Sequence, residues 1–232
     1  MSCVPDTSSL PGSADRLLAT VSKLTDEDLA ADSALPGWTR AHVLTHIAQA
    51  ADSRTGLLLA ARAGRVGRQY ASEEARAAAV EAGARRPPEI VRADLHRAVT
   101  ECLAAIRHHP DDLWDAPGDY LAGGRRPVRG VVRSLRRELE YHHVDLAAGY
   151  RPADWPDDFI GVELDQVTGL MDRREHAPPM TFRPPAAVVL RTSPPVEVSG
   201  PPAELLAWLS GRGDGARLDA RGGPLPELPA LG

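Results

Sequence analysis

Lysine is nearly missing from this chain: Lys23 is the only one among 27 basic side chains, which leaves 26 arginines in 232 residues. With the surplus of Ala, Gly and Pro, that skew is what GC-rich codon usage produces, so a single arginine carries little functional information. Cysteine is equally scarce. Cys3 near the start and Cys102 inside a helical pattern build neither a disulfide framework nor a Cys-type zinc site, which fits a reducing compartment. The opening "MSCVPDTSSLPGSADRLL" lacks a basic stretch followed by an apolar one, and no run of about 18 apolar residues occurs anywhere. Nor is there an excess of positive charge. The formal net charge is −5, which gives no broad electropositive face and argues against nucleic acid as a partner. These absences together predict a cytoplasmic protein that enters no membrane.

What is present is helical periodicity. From Ser13 to about Gly149 apolar residues recur at helical spacing, and Gly and Pro fall between the periodic stretches. The spacing predicts a helix over about Ala14–Leu24, then a turn-rich connection, "TDEDLAADSALPGWT". A second helix is capped by Thr39 and runs to about Arg62, with Val43, His46, Ile47, Ala50, Leu57 and Leu58 on one stripe. A short one is capped by Ser72, with Glu73 and Glu74 in its first turn. A long one covers about Pro88–His108, its stripe being Ile90, Leu95, Val99, Leu103 and Ile106. "HHPDDLWDAPGDYLAGGRRP" reads as a loop, and a last helix covers about Val128–Ala148.

After Tyr150 the texture changes. "RPADWPDDF" reads as a linker, followed by a helix over about Phe159–Arg174, short β-like runs at Ala187–Arg191 and Val196–Ser199, a helix over Pro202–Leu209, and a last run near Ala216–Ala220. The expected class is mainly α with an α+β second domain. Residues 1–152 form a four-helix bundle, since four main apolar stripes can close one core, and residues 153–232 form a small α/β domain.

The segment "RRELEYHHVDL" carries the chemistry. Glu138 and His142 are one helical turn apart, on or beside the stripe that holds Leu135, Leu139 and Leu146. Glu140 and His143 are rotated away, and the expectation places them on the flank or surface. His46 lies in the apolar stripe of the second helix. If that helix faces the last one, His46, Glu138 and His142 can place three donor atoms around a divalent cation, with Zn²⁺ favoured by a His-His-carboxylate set and a fourth position left open. Two plainer readings stand beside this one. A core histidine is often simply hydrogen-bonded, and an i, i+4 Glu–His pair is a common helix ion pair. A rival pair, His42 with His46, ranks lower because Thr39, Arg40 and Thr45 make the surroundings of His42 polar.

Four blocks in order, "LPGWTRAHVLTHIAQAAD", "EEARAAAVEAGARRP", "RELEYHHVDLAAGY" and "LLAWLSGRGDGARL…GGPLPELP", resemble the mycothiol-dependent maleylpyruvate isomerase family across nearly the whole chain. The resemblance implies a DinB-like four-helix bundle holding zinc, followed by a small domain similar to sterol-carrier folds. It carries the family's ligands onto His46, Glu138 and His142, and its arginines onto Arg76 and Arg212, where guanidinium groups suit a dicarboxylate. Asp145 is either a partner orienting a ligand or a cap. The looser match around "GRQYAS" before Arg76, and Arg136–Arg137 where members carry bulkier apolar residues, bear on substrate identity.

The activity so implied is a cis–trans isomerisation of maleylpyruvate to fumarylpyruvate, as in gentisate degradation. Mycothiol, acidified at zinc, adds to the double bond, the new single bond rotates, and elimination gives the trans isomer. The expected partners are mycothiol and a small dicarboxylate, with the chain acting as a monomer. Two alternatives remain: a mycothiol S-transferase acting on another electrophile, and a non-catalytic bundle that binds an apolar ligand.

Overall fold

Thr39 stands in extended conformation immediately before the longest helix, and His42 reaches back so that its Nδ1 accepts the Thr39 backbone N–H at 3.2 Å. That cap starts α3 (Arg40–Arg62), the helix around which the first part of the chain is built. The structure, a computed structural model, describes residues 4–121, 124–171, 178–184 and 186–228; Cys3 lies outside them. The chain divides into two compact units, Met1–Ala148 and Gly149–Gly232. Among the described residues no helix is long and apolar enough to cross a membrane.

In the first unit α1 (Leu10–Val21), α3, α5 (Pro88–Arg107) and α6 (Gly130–Asp145) form the four-helix bundle, with α3 against α5 and α6, and α1 against α5 and α6. Leu17, Leu44, Ile47, Leu57, Leu58, Leu95, Val99, Leu135 and Leu139 are fully buried between them. Two shorter helices accompany the bundle: α2 (Asp26–Ala30), started by a Thr25–Asp28 capping box, and α4 (Glu73–Ala84), whose N-cap Ser72 accepts from the Ala75 N–H at 3.1 Å.

Several local expectations shift. α1 starts at Leu10 because Pro11 fits the first turn, where no N–H is required. α2 occupies part of the segment expected to be turns. In α5 Ile90 is exposed, and the packed face is Val91, Leu95, Ala98, Val99, Cys102 and Ile106. Small residues at 98, 102 and 105 turn that face toward α3. The expected loop after α5 contains β2 (Pro117–Tyr120) and β3 (Gly124–Pro127), paired antiparallel, with β1 (Gly67–Arg68) parallel to β2. Gly67 and Gly118 let this small sheet approach Leu57 closely; a Cβ on Gly118 would meet the Leu57 Cδ2 at 3.2 Å.

Glu140 and His143 correct the sequence reading most clearly. Both are 1% exposed, because α6 packs between two helices and has two buried faces. Toward α1, Arg16 donates to Glu140 Oε1 at 2.6 Å, Ser13 donates to the same oxygen, and His143 Nε2 lies 2.7 Å from the Thr20 hydroxyl. These are polar ties between helices.

The second unit holds α7 (Asp157–Met171), α8 (Pro202–Leu209) and an antiparallel sheet in the order β4 (Met180–Arg183), β5 (Ala187–Leu190), β6 (Val196–Ser199), β7 (Asp219–Arg221). The expected end of the helix near Arg174 lies outside the described residues. Val188, Leu190, Val196 and Val198 are buried on one face of the sheet, and Leu205, Leu206 and Leu209 are buried on α8.

One close approach in the first unit invites a test. A Cβ on Gly83 of α4 would collide with the Cγ2 methyl of Thr45 on α3. Alanine is the better helix former by about 1 kcal/mol, yet overpacking a rigid β-branched neighbour costs typically about 1–3 kcal/mol. Gly83→Ala is therefore expected to lower the stability seen in denaturant unfolding. In a Thr45→Ser background, which lacks that methyl, the same change is expected to be neutral or stabilising; equal losses in both backgrounds would refute the contact.

Candidate metal centre

Three donor side chains from two helices meet inside the bundle. His46, on α3, is buried, and its Nε2 lies 3.0 Å from Glu138 Oε2. On α6, His142 follows Glu138 by one turn, and its Nε2 lies 3.2 Å from the same oxygen. The three donor atoms are all within 4.8 Å of one another, and the two imidazole rings meet edge to face with centroids 4.5 Å apart. A tetrahedral zinc with bonds of about 2.0–2.2 Å sets its ligand atoms roughly 3.3 Å apart, close to the two N···O separations found here. The residues present fit such a cation.

The surroundings settle which atoms face inward. Asp145, 1% exposed, places Oδ2 2.8 Å from His142 Nδ1, so that nitrogen carries a proton and donates it, and Nε2 is turned to Glu138. Burial disfavours the charged ring, but the hydrogen bonds to Asp145 and then Glu138 outweigh it and hold the His142 pKa above its ordinary value. For His46 the balance falls the other way. Burial pushes its pKa down in spite of Glu138, so the ring is held neutral. Burial also opposes the Glu138 charge, yet the Arg54 guanidinium and the two imidazoles keep that carboxyl well below the usual range. The result is a carboxylate between two rings, the donor set a divalent cation needs.

Arg76, on α4, is half-buried, and its charge acts on His46 and on Tyr70. α4 seats Val80 and Gly83 against its neighbours, and Arg76 precedes them on the same face. Arg212 belongs to the second unit, in the turn after α8, where its Nη1 donates to the Ser210 carbonyl at 3.0 Å. His42 is engaged elsewhere: its Nδ1 is taken by Thr39, and its Nε2 donates to Glu81 Oε2 at 3.1 Å.

The family model described as the N-terminal domain of mycothiol maleylpyruvate isomerase matches residues 10–147, the whole bundle. The chain belongs to that family. Among solved structures, this isomerase fold is shared with a crystal structure of the mycothiol-dependent maleylpyruvate isomerase at a TM-score of 0.79 and 23% identity. A histidine-to-alanine mutant of that enzyme matches with a TM-score of 0.84 and 22% identity; each match covers 96% of this chain and 94% of the other. At these identities the likeness establishes the fold of the isomerase family over both units. No curated protein sequence matches the chain.

Three residues close to the centre escape a sequence reading. Arg54 donates to Glu138 from a buried position, the Trp38 ring lies 5.6 Å from that of His46, and Tyr70 hydrogen-bonds Ser53 within the fields of Arg54, Glu138 and Arg76. Burial raises the Tyr70 pKa and keeps the phenol protonated. Only Arg54 leaves a trace in the sequence: it continues the stripe Val43–His46–Ala50 at the next turn, placing a charge where an apolar residue belongs.

Proposed function

We propose that this chain is a zinc- and mycothiol-dependent cis–trans isomerase that converts maleylpyruvate to fumarylpyruvate. The observation that carries the reading is the convergence of His46, Glu138 and His142 on one point of a bundle matched by the isomerase family. These three residues would hold the cation; when bound, it supplies a Lewis acid that lowers a thiol's pKa, making thiolate available at neutral pH.

The chain's own groups do the rest. Asp145 fixes the His142 ring, and Arg54 neutralises Glu138 without competing for its second oxygen. His46 stays neutral and offers a lone pair without first losing a charge-stabilised proton. Arg76 and Arg212 are assigned to the substrate carboxylates, each of which a guanidinium can take by two parallel hydrogen bonds, and to the negative charge that develops during isomerisation. Trp38 packs its ring against that of His46, with the centroids 5.6 Å apart.

The test pairs elemental analysis with turnover. Purified protein supplemented with zinc is expected to hold one equivalent and to isomerise maleylpyruvate only when mycothiol is added. Stoichiometric metal with consumption of thiol and no fumarylpyruvate would make it an S-transferase. Absence of metal at full supplementation would remove the isomerase reading and leave a ligand-binding bundle.

A further inference from the structure

Arg54 uses its guanidinium in an unusual way. A buried arginine beside a carboxylate commonly takes both oxygens in a parallel pair. Here Nη2 donates to Glu138 Oε1 alone, at 2.7 Å, while Oε2 of the same carboxylate is left to His46 and His142 at 3.0 and 3.2 Å. The remaining donors explain why the group does not swing to cover both oxygens. Nε donates to the Ser134 hydroxyl at 2.6 Å, Nη1 donates to the Ala50 carbonyl at 2.8 Å, and Nη2 also approaches the Ser134 carbonyl at 3.4 Å. Arg54 is 3% exposed and is tied at once to its own helix and to α6, one turn before Glu138.

From this we infer that Arg54 is a positioning residue that claims Oε1 of Glu138, so that the centre presents a single carboxylate oxygen, Oε2, beside the two imidazole nitrogens. The inference rests on the metal-binding reading of His46, Glu138 and His142 and adds what that reading leaves open: how many oxygens Glu138 supplies. Two consequences follow from elementary electrostatics. A carboxylate already hydrogen-bonded to a cation donates less electron density, so a metal ion held through its other oxygen remains a stronger Lewis acid. With three protein atoms supplied instead of four, a position stays open for a thiol sulfur. The anchored guanidinium also holds Glu138 with Oε2 toward the two imidazoles before any ion arrives.

The experiment uses the full chain loaded with Co²⁺, whose visible absorption weakens as coordination number rises. Wild-type protein is expected to show the intense bands of four-coordinate cobalt. Arg54→Met frees Oε1, and its bands are expected to lose intensity and move to shorter wavelength. Arg54→Lys, which keeps a donor on Oε1, is expected to restore a spectrum close to wild type. A spectrum unchanged by Arg54→Met overturns the inference while leaving the metal reading intact. If wild-type protein takes up no cobalt, the metal reading itself fails, and the inference with it. Should Arg54→Met not fold, infrared difference spectra of wild-type protein with carboxyl-labelled glutamate decide instead. On zinc binding, a splitting of the two carboxylate stretches wider than in the free ion supports one-oxygen ligation, and a narrower one overturns it.

Discussion

Replacing His142 by alanine is expected to abolish stoichiometric zinc and, with it, thiol-dependent turnover. The variant leaves one imidazole and one carboxylate oxygen, and the carboxylate is already neutralised by Arg54 at 2.7 Å. Removing partners that merely orient a ligand costs about 10–100-fold in metal affinity, so loss of a ligand itself is expected to cost more than about 100-fold. The fold should survive, because Leu135 and Leu139, which anchor α6 in the core, are untouched and the ring's own position is only partly buried. Circular dichroism of the variant would therefore match wild type while elemental analysis reports no zinc. His42→Ala supplies the control. Both nitrogens of that ring are engaged by Thr39 and Glu81, so its loss is expected to weaken the start of α3 and leave the metal content unchanged. Full zinc in the His142 variant, or its loss in the His42 variant, would shift the assignment to the other pair.

The legibility of this centre in the sequence is uneven for physical reasons. Glu138 and His142 declare themselves because four residues on a helix return nearly to the same direction, so a local spacing suffices. His46 is legible only together with an assumption about which helices touch, and α3 and α6 do touch. Arg54 is hidden by composition: among 26 arginines a charge in an apolar stripe draws little notice, although its partners Ser134 and Glu138 lie 80 and 84 residues away. Glu140 and His143 show the limit of a single apolar stripe. The stripe identifies one buried face of α6, whereas the second face is buried by α1, whose Ser13 and Arg16 bond Glu140 and whose Thr20 bonds His143. The fold divides similarly. β6, with its alternating Val-Glu-Val-Ser, and α8, opened by Pro202, follow strong local patterns. The hairpin of β2 and β3 does not, since "PGDY" and "GRRP" hold no alternation and form strands through pairing with each other and with β1.

Asp145→Asn carries the second large effect, and its sign depends on pH. The carboxylate lies 2.8 Å from His142 Nδ1 and is buried, so it both orients the ring and strengthens the lone pair on Nε2. Asparagine preserves the shape but not the charge, and zinc affinity at alkaline pH is expected to fall about 10–100-fold in chelator competition. Protons compete for the same nitrogen. In wild type the Asp145 and Glu138 hydrogen bonds, working against burial, raise the His142 pKa, so the proton begins to displace the metal above the ordinary imidazole value of about 6.5. Without the Asp145 charge, that competition starts at lower pH. The affinity gap between the two proteins is therefore expected to be widest at alkaline pH and to narrow as pH falls through the wild-type titration of His142. A gap that stays constant across that range would mean Asp145 acts on the ring's position alone; a gap that widens on acidification would contradict the electrostatic account.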